Sequence, residues 1–400
     1  MDIKTNSTPG NSPNSFALFQ LSFRPFFLSA GLFAVLSISY WMLIYLFNYE
    51  LSLSGMSTSQ WHAHEMVYGY GMAVLAGFLL TAAKNWTGVQ TLHGKLLMLL
   101  FASWALARGL LFSGSAYLPL AAFFDLLFGL GMTIALAHPI VKVKQWKQLA
   151  LVIKIALLVV FNGLFYLGAL GLLEQGVNWG IYGGLMLIIS LVMTLGRRVI
   201  PFFIERGVEE NASLSNHALL DRSNLFLFLG FSIVEVFFNL PLISAILALI
   251  LLVVNATRLI GWYTPGIWKK SLLWSLYLAY WFICLGFGLY AAGYFFNINP
   301  YLAVHALAYG GIGMMTLGMM SRVSLGHTGR GIQNPSPVLR YIFAGLLIGG
   351  LFRVVVPLFE TQHYLWWIGL SQLLWIASFL AFVVLYLPML IKPRLDGRPG

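Results

Sequence analysis

Two histidines and a glutamate lie within the four-residue run His62-Ala63-His64-Glu65, at the start of an apolar stretch long enough to cross a membrane. Ionisable side chains are costly in hydrocarbon, so those at the mouth of a span usually serve metal, haem, proton or ion chemistry. Imidazole ligates haem iron and also suits copper. The run therefore predicts a ligand or proton-transfer site at this end of the span.

Helix geometry separates the two histidines. In a regular helix, His62 and His64 point about 200° apart, so the two rings cannot bind the same metal ion. Glu65 follows His62 by three residues and shares its face of the helix. We expect Glu65 to orient a ligating His62 or to relay protons.

The composition of the 400-residue chain is that of a membrane protein. Hydrophobic residues make up 60% of it, charged residues only 9%, and the mean hydropathy is +0.84. A soluble domain holds roughly 45–50% apolar and 25% charged residues. The only cysteine, Cys284, lies in an apolar run, which excludes a disulfide framework and a thiolate metal site. The net charge of +11 therefore bears on membrane topology, and we predict no nucleic-acid partner.

Apolar stretches of about 20 residues predict an all-α bundle of about twelve membrane-spanning helices in a lipid bilayer. The predicted spans cover residues 26–48, 61–83, 95–113, 117–141, 148–171, 178–201, 222–240, 241–259, 270–293, 300–324, 337–358 and 363–389. We assign residues 1–25 to a polar N-terminal tail, 26–390 to a single membrane domain and 391–400 to a basic C-terminal tail.

Lysine and arginine residues alternate between the two ends of these spans. All but three of the 23 lie in the two tails or in the even-numbered loops, and the odd-numbered loops hold none. By the positive-inside rule, both termini are cytoplasmic and the odd-numbered loops face outward. The three exceptions, Arg108, Lys154 and Arg353, lie inside spans.

This orientation places most of the intramembrane ionisable groups in the outer half of the bilayer. Four imidazoles, three carboxylates and two guanidinium groups from seven spans form the set: His62, His64, His305, His363, Glu65, Asp125, Glu235, Arg108 and Arg353. Their convergence predicts a ligand set with charge-compensating groups. The carboxylates Glu65, Asp125 and Glu235 are candidate catalytic proton carriers.

Arginine pairs in a bidentate manner with carboxylates such as the propionates of haem. Arg108 and Arg353, together with Arg24 at the start of the first span, are therefore candidate cofactor-binding residues. His327 lies at the opposite end of its span from His305. It could cap the helix, bind an anion with Arg330, or ligate a second metal ion.

Small residues follow both of the histidines that begin inward-running spans. They are Gly69, Gly71, Ala73, Ala76 and Gly77 after His62, and Gly310, Gly311, Gly313 and Gly318 after His305. Such stripes serve close helix packing, or they offer a surface for a flat macrocycle, and the two roles are compatible. Met315 and Met319, four residues apart, could offer two thioethers to Cu(I), although methionine in an apolar helix usually packs.

Seven short motifs spread over almost the whole chain are specific in combination. They are Phe23-Arg24-Pro25-Phe26-Phe27, Trp61-His62-Ala63-His64-Glu65-Met66, Asn85-Trp86-Thr87-Gly88, Gly196-Arg197-Arg198-Val199-Ile200-Pro201, His305-Ala306-Leu307, Leu325-Gly326-His327-Thr328-Gly329-Arg330 and Asp396-Gly397-Arg398-Pro399-Gly400. In this combination the chain resembles the NnrS family.

The resemblance implies a multi-pass protein of the bacterial inner membrane that contains haem, of the b type, and copper. It also implies a role in the nitric oxide response, in denitrification and in protection against nitrosative stress. His62, His64 and His305 are then candidate ligands, with His363 and His327 as further metal ligands. Nitric oxide is uncharged and apolar, so it reaches a membrane-embedded haem through lipid. Its reduction would make the chain an oxidoreductase supplied by an electron donor.

A different function would use the same residues. Twelve spans are common among transporters, and buried His, Glu and Arg side chains also line substrate or metal pathways. A transporter or metal-handling permease is therefore the alternative hypothesis. The chain has no P-loop, Gly-x-Ser-x-Gly or Rossmann fingerprint, which argues against a soluble-type nucleotide or hydrolase site.

The predicted orientation has a direct test. A reporter enzyme that is active only outside the membrane, fused after Arg394, should remain inactive, because the C-terminal tail is predicted to be cytoplasmic. The same reporter fused within the first loop, after Ser57, should be active. An active fusion at Arg394 would contradict the orientation.

Overall fold

The computed structural model describes residues 16–49, 55–209, 212–238 and 240–397. Most of the predicted N-terminal tail and the last three residues of the C-terminal tail lie outside this part of the chain. Two of the basic residues used to predict the topology, Lys4 and Arg398, lie there as well.

Twelve long helices and no strand make up the regular structure of the described residues, which confirms the all-α prediction. The helices are α1 (Phe23–Phe47), α2 (Thr58–Thr87), α3 (Gly94–Phe112), α4 (Leu118–Lys142), α5 (Leu149–Ala169), α6 (Gly176–Gly207), α7 (Ala218–Phe237), α8 (Pro241–Gly261), α9 (Ser271–Phe296), α10 (Pro300–His327), α11 (Val338–Leu358) and α12 (Tyr364–Ile391). Each overlaps one predicted span, and most ends agree within four residues. The chain is a multi-pass membrane protein.

Eleven of the twelve helices are long and apolar enough to cross a membrane. The exception among the described helices is α7, which carries Asp221, Arg222 and Glu235 within its 20 residues. Its charges lie close to its two ends, where side chains of a spanning helix can reach water or a polar partner.

Burial divides the helices into an interior group and an outer group. In α2, 89% of the most apolar stretch is buried, and in α9 and α10 the share is 72%, whereas for the other spans it is 39–50%. Helices α2, α9 and α10 therefore form the centre of the bundle. The outer helices expose large apolar side chains, as lipid contact requires.

The glycines after His62 and His305 serve close helix packing. A Cβ atom on Gly310 would lie 2.1 Å from the Phe282 ring of α9, and one on Gly313 would lie 2.4 Å from the Trp375 ring of α12. A Cβ atom on Gly77 would likewise lie 2.7 Å from the Phe27 ring of α1. The packing interpretation is confirmed, and the neighbouring rings leave no room for a macrocycle against these glycines.

Three of the spanning helices contain π-helical turns, in which the hydrogen bonds run from residue i to residue i+5. The stretches are Glu65–Gly71 in α2, Ala306–Gly313 in α10 and Leu351–Val355 in α11. In α2 and α10, each stretch follows one or two α-helical turns that carry the predicted histidines. The two helices are thus built alike, although their sequences share little beyond a His-Ala pair.

Arg24 joins the first helix to the last one. Its side chain is fully buried, and Nη1 donates hydrogen bonds to the carbonyl oxygens of Met389 (3.2 Å), Leu390 (2.9 Å) and Lys392 (2.7 Å). These carbonyls belong to the C-terminal end of α12, which has no intrahelical donors for them and attracts positive charge. Arg24 therefore closes the bundle at its predicted cytoplasmic end.

The packing of α9 against α10 predicts the effect of a single methyl group. Gly310→Ala should lower the stability of the protein by about 1–3 kcal/mol, because the new Cβ would overlap Phe282. Thermal unfolding in detergent measures the loss. Gly163→Ala in α5 is the matched control, since its Cβ would meet nothing closer than 3.9 Å. Equal midpoints for the two variants would contradict the packing account.

Candidate functional site

A buried ionic network fixes the start of α2 against α3 and α4. The Arg108 guanidinium forms ion pairs with Glu65 through Nη1 and with Asp125 through Nη2, the latter at 2.6 Å to Oδ1. His64 Nδ1 lies 3.0 Å from Glu65 Oε1. All four side chains are at most 4% exposed. One cation thus holds two carboxylates that would otherwise be expensive in the membrane.

Two residues of α5 complete the network. Asn162 Nδ2 donates to Asp125 Oδ2 (3.0 Å), and its Oδ1 lies 2.9 Å from His64 Nε2. The Tyr166 hydroxyl also donates to Asp125 Oδ2, at 3.0 Å. The Asn162 amide is oriented by Asp125, so His64 faces a carboxylate on one side and an amide oxygen on the other.

Both ring nitrogens of His64 therefore face oxygen atoms of neighbouring side chains, Glu65 Oε1 and Asn162 Oδ1. Each nitrogen has a protein partner in this arrangement. The structure places it in an ion-pair network, and its predicted role as a ligand stays a prediction.

His62 lies on the opposite side of α2, as the helix geometry predicted. Its ring stacks on the Trp41 indole of α1, with centroids 4.6 Å apart and planes 6° from parallel. Its Nδ1 is buried and has no hydrogen-bond partner. Among the described residues, Glu65 forms no hydrogen bond or ion pair with His62 and contacts His64 and Arg108 instead. Its role as an orienting or proton-relaying group stays a prediction.

His305 lies near His62, on the facing side of α10. Its Nδ1 donates to the carbonyl oxygen of Tyr301 (2.7 Å), one helical turn earlier. Its Nε2 accepts a hydrogen bond from Arg353 Nη2 of α11 (3.0 Å), whose Nη1 donates to the Tyr364 hydroxyl of α12 (3.2 Å). A backbone carbonyl only accepts, so the proton is fixed on Nδ1 and the lone pair on Nε2.

We call the group formed by Trp41, His62, His305, Arg353 and Tyr364 the outer cleft. Arg353 lies close enough to interact electrostatically with both histidines, and His305 interacts with His62. Both imidazole side chains are partly exposed to solvent.

The remaining predicted site residues lie elsewhere. Glu235 lies beside Ser244, in electrostatic contact with Tyr182 and Tyr290, among helices α6 to α9. His363 is exposed in the loop before α12 and lies 3.5 Å from Glu360 Oε1.

At the other end of the bundle, His327 Nε2 is 3.4 Å from the Asn85 amide and its ring packs on Phe23. Arg24 caps α12 at that end. The predicted outer-half set therefore divides into the ionic network, the outer cleft and isolated residues.

Several residues of these two sites were not among the sequence-predicted candidates. Asn162 had a usable signal, because it is an amide inside the apolar run of α5. Trp41 and Tyr364 had none, since aromatic residues are frequent in every span and only tertiary packing selects these two. The Tyr301 carbonyl belongs to the backbone and has no side-chain signal.

The two sites have different chemical capacities. The ionic network is buried and joins α2, α3, α4 and α5, which suits it to fixing helix positions. The outer cleft contains one imidazole nitrogen without a partner, one imidazole with its tautomer fixed, and one guanidinium between them. This is a set for single-imidazole ligation and for pairing with a carboxylate. Among the described residues, no group of three or more His, Cys, Asp or Glu side chains is arranged to hold a metal ion.

Comparison with known proteins agrees with the resemblance seen in the sequence. A family model described as NnrS protein matches residues 17–394, which include both sites and all twelve helices. No curated protein matches the chain.

The ionic network predicts that removal of Arg108 lowers the stability of the protein strongly. It also predicts that removal of the two carboxylates as well restores most of that stability. Arg108→Gln should cost about 3–5 kcal/mol, because it leaves Glu65 and Asp125 buried without their cation. Combining it with Glu65→Gln and Asp125→Asn should recover most of the loss. Thermal unfolding of the three proteins measures both effects.

Arg198→Gln is the control for the loss of one arginine, because Arg198 is exposed and has no hydrogen bond or ion pair within the described part of the chain. If the triple variant were less stable than Arg108→Gln, the buried carboxylates would not be the source of the loss.

Proposed function

The chain belongs to the NnrS family, and from this premise we propose that it is a haem-binding membrane protein of the nitric oxide response, with the outer cleft as its haem site. We further propose that it lies in the inner membrane of a bacterium and protects the cell against nitrosative stress. Nitric oxide is the ligand that this site would meet, since the gas dissolves in lipid and reaches the cleft from the bilayer.

The position of the π-helical stretches is the observation that carries this proposal. His62 precedes the stretch Glu65–Gly71, His305 directly precedes Ala306–Gly313, and Arg353 lies within Leu351–Val355. These three stretches belong to three different helices, and each lies beside a member of the outer cleft. π-Helical turns are rare in proteins and are frequently found at functional sites.

The side chains of the outer cleft fit haem. His62 Nδ1 is an orphaned buried nitrogen, and the proton fixed on His305 Nδ1 leaves Nε2 as the nitrogen that would face iron. Arg353 carries a planar guanidinium that would pair with a propionate. When bound, haem would supply an iron centre that takes nitric oxide as a ligand. We propose that His62, His305 or both would hold the iron, and that Arg353 would pair with a propionate.

Copper, which the family resemblance also implies, is a separate question. The described residues offer no group of three or more His, Cys, Asp or Glu ligands for it. Met315, one of the two predicted thioether ligands, is 4% exposed and packs in the core of the bundle, with Met319 partly buried against it. We therefore assign copper no site, and the proposal rests on haem alone.

The protein around the cleft would keep its ligands in place. Trp41 stacks on His62 and restricts the rotation of the ring, and the Tyr301 carbonyl holds His305 in one tautomer. The ionic network, on the opposite side of α2, anchors the same two helical turns to α3, α4 and α5. The lone pair of His305 Nε2, which now accepts a hydrogen bond from Arg353, is the one that would hold the iron.

Absorption spectroscopy of the purified protein tests the proposal. Protein made with adequate haem supply should show a Soret band that shifts when nitric oxide is added. His305→Ala and His62→Ala should each reduce haem occupancy or change the band, because each removes a proposed ligand. Pyridine haemochrome analysis separates loss of haem from a change of ligation.

His363→Ala is the matched control, since His363 is an exposed histidine at the same end of the bundle that lies outside the outer cleft. A normal band in both His62→Ala and His305→Ala, or the absence of haem from folded wild-type protein, would refute the haem site. Transport of a metal ion by haem-free protein would favour the permease alternative.

A further inference from the structure

Four of the seven motifs that carry the family resemblance meet at the predicted cytoplasmic end of the bundle, opposite the outer cleft. They are the motifs that begin at Phe23, Asn85, Leu325 and Asp396. The Phe23 ring packs on His327 with centroids 5.5 Å apart, and the Asn85 amide nitrogen lies 3.4 Å from His327 Nε2. The Leu395 amide, directly before the last motif, donates to the Thr328 carbonyl oxygen (3.3 Å). The proposed haem site uses none of these residues.

This junction brings together four cations, Arg24, Lys84, Arg330 and Arg394, which we call the basic cluster. They come from the start of α1, the last turn of α2, the loop after α10 and the segment after α12. Arg394 interacts electrostatically with Arg24 and Lys84, and Arg330 interacts with Arg24. Because like charges repel one another at this range, the basic cluster requires compensating negative charge.

The ion pairs of the described residues supply the basic cluster with one carboxylate. Asp396 accepts hydrogen bonds from Arg394 Nε (2.9 Å) and Nη2 (2.7 Å), one on each of its oxygens. The other acidic residues described at this end are engaged elsewhere. Glu205 accepts from the Leu214 amide, Glu209 pairs with Lys270, and Asp221 pairs with Arg197 and Arg258.

The helix ends compensate only part of the remaining charge. Helices α2, α10 and α12 end here and each contributes about half a negative charge, whereas α1 begins here and contributes about half a positive one. Together with Asp396, the helix ends offset about two of the four positive charges. An excess of about two positive charges therefore remains at the membrane surface.

Lys84 and Arg330 carry donors that a ligand can use. The Lys84 ammonium forms no hydrogen bond or ion pair within the described part of the chain. Arg330 forms one side-chain hydrogen bond, from Nη1 to the Thr328 carbonyl oxygen at 3.4 Å, so Nε and Nη2 have no such partner among the described residues. Both side chains are half-buried. Partial shielding from water strengthens their attraction for an anion.

We propose that the basic cluster binds a phosphate group, with Lys84 and Arg330 as its direct donors. A guanidinium pairs with phosphate through two parallel hydrogen bonds, and an ammonium adds a compact positive charge. A phosphate group carries about one to two negative charges, which would balance the excess. Two sources supply this chemistry, a free phosphate ion and the phosphodiester of an anionic lipid. Basic groups between spanning helices on the cytoplasmic side typically bind lipid headgroups.

Thermal unfolding of the delipidated full chain in a neutral detergent tests the free anion. Inorganic phosphate is the probe, and chloride at equal ionic strength is the reference. Phosphate should raise the midpoint of the wild-type protein by roughly 1–3 °C, and the double variant Lys84→Gln/Arg330→Gln should lose this shift. Without phosphate, the double variant should unfold no lower than wild type, because it relieves repulsion within the basic cluster. A lower midpoint would assign the two cations a structural role and contradict the proposal.

The double variant Lys142→Gln/Arg222→Gln is the matched control. Lys142 lies in the last turn of α4, as Lys84 lies in the last turn of α2, and Arg222 is an exposed arginine at the same predicted end. Neither control side chain forms a hydrogen bond or ion pair among the described residues. The control should keep the phosphate shift. An equal loss in both double variants would reduce the effect to diffuse surface charge and overturn the proposal.

Native mass spectrometry tests the lipid source. Protein is released from mixed micelles of phosphatidylglycerol and a neutral glycolipid that contains no phosphate. Wild type should retain phosphatidylglycerol in preference to the glycolipid, and Lys84→Gln/Arg330→Gln should weaken this binding roughly tenfold. Retention that depends on this pair, without a phosphate shift, assigns the site to a lipid headgroup, and the reverse pattern assigns it to the free ion. Both effects together show that the site accepts either source.

Two further outcomes would overturn the proposal. One is the absence of both effects in the wild-type protein, and the other is equal effects in wild type and Lys84→Gln/Arg330→Gln. If the double variant fails to fold, Lys84→Gln alone decides the question, because its ammonium has no described partner that the fold could lose. It should weaken phosphatidylglycerol or phosphate binding about fivefold, and unchanged binding would refute the site. The basic cluster is independent of haem, so these results leave the outer cleft untouched.

Discussion

The position of Arg108 between Glu65 and Asp125 governs the arrangement of the predicted outer half of the molecule. In a low-dielectric interior, a carboxylate without a cation is expensive, so three charged groups from α2, α3 and α4 must meet. Asn162 and Tyr166 of α5 then saturate Asp125, and His64 fills the place between Glu65 and Asn162. Once His64 is fixed, the rotation of α2 about its axis is fixed as well. His62 is left to face α1 and α10.

Close packing and the π-helical turns act together on the same helices. Glycines let α10 approach α9 until Phe282 touches the backbone at Gly310, and a helix held so tightly cannot rotate to aim a side chain. A π-helical turn shifts the helix by a fraction of a turn at one place only. The turns in α2, α10 and α11 reconcile tight packing in the centre of the bundle with the directions that His62, His305 and Arg353 take in the outer cleft.

The sequence predicted the helices well because the bilayer imposes a length and a polarity on every span, and α2 or α10 can be found from those alone. It also separated His62 from His64, since that follows from helical periodicity. It failed to pair Glu65 with His64 because adjacent residues diverge on a regular helix, and only the third partner, Arg108, and the π-helical turn beginning at Glu65 bring them together. The sequence analysis also grouped Glu235 with His62, because the two have a similar predicted depth in the membrane. In the structure they lie in different parts of the bundle, since a single sequence does not encode lateral position.

An experimental density map of the protein purified with haem tests the central claim most directly, because it locates the cofactor without depending on the stability of variants. The outer cleft as haem site predicts planar density in contact with His62 or His305, with Arg353 turned from His305 Nε2 towards a propionate. A haem bound elsewhere, for example beside His327 at the opposite end of the bundle, with Arg353 still bonded to His305, would contradict it.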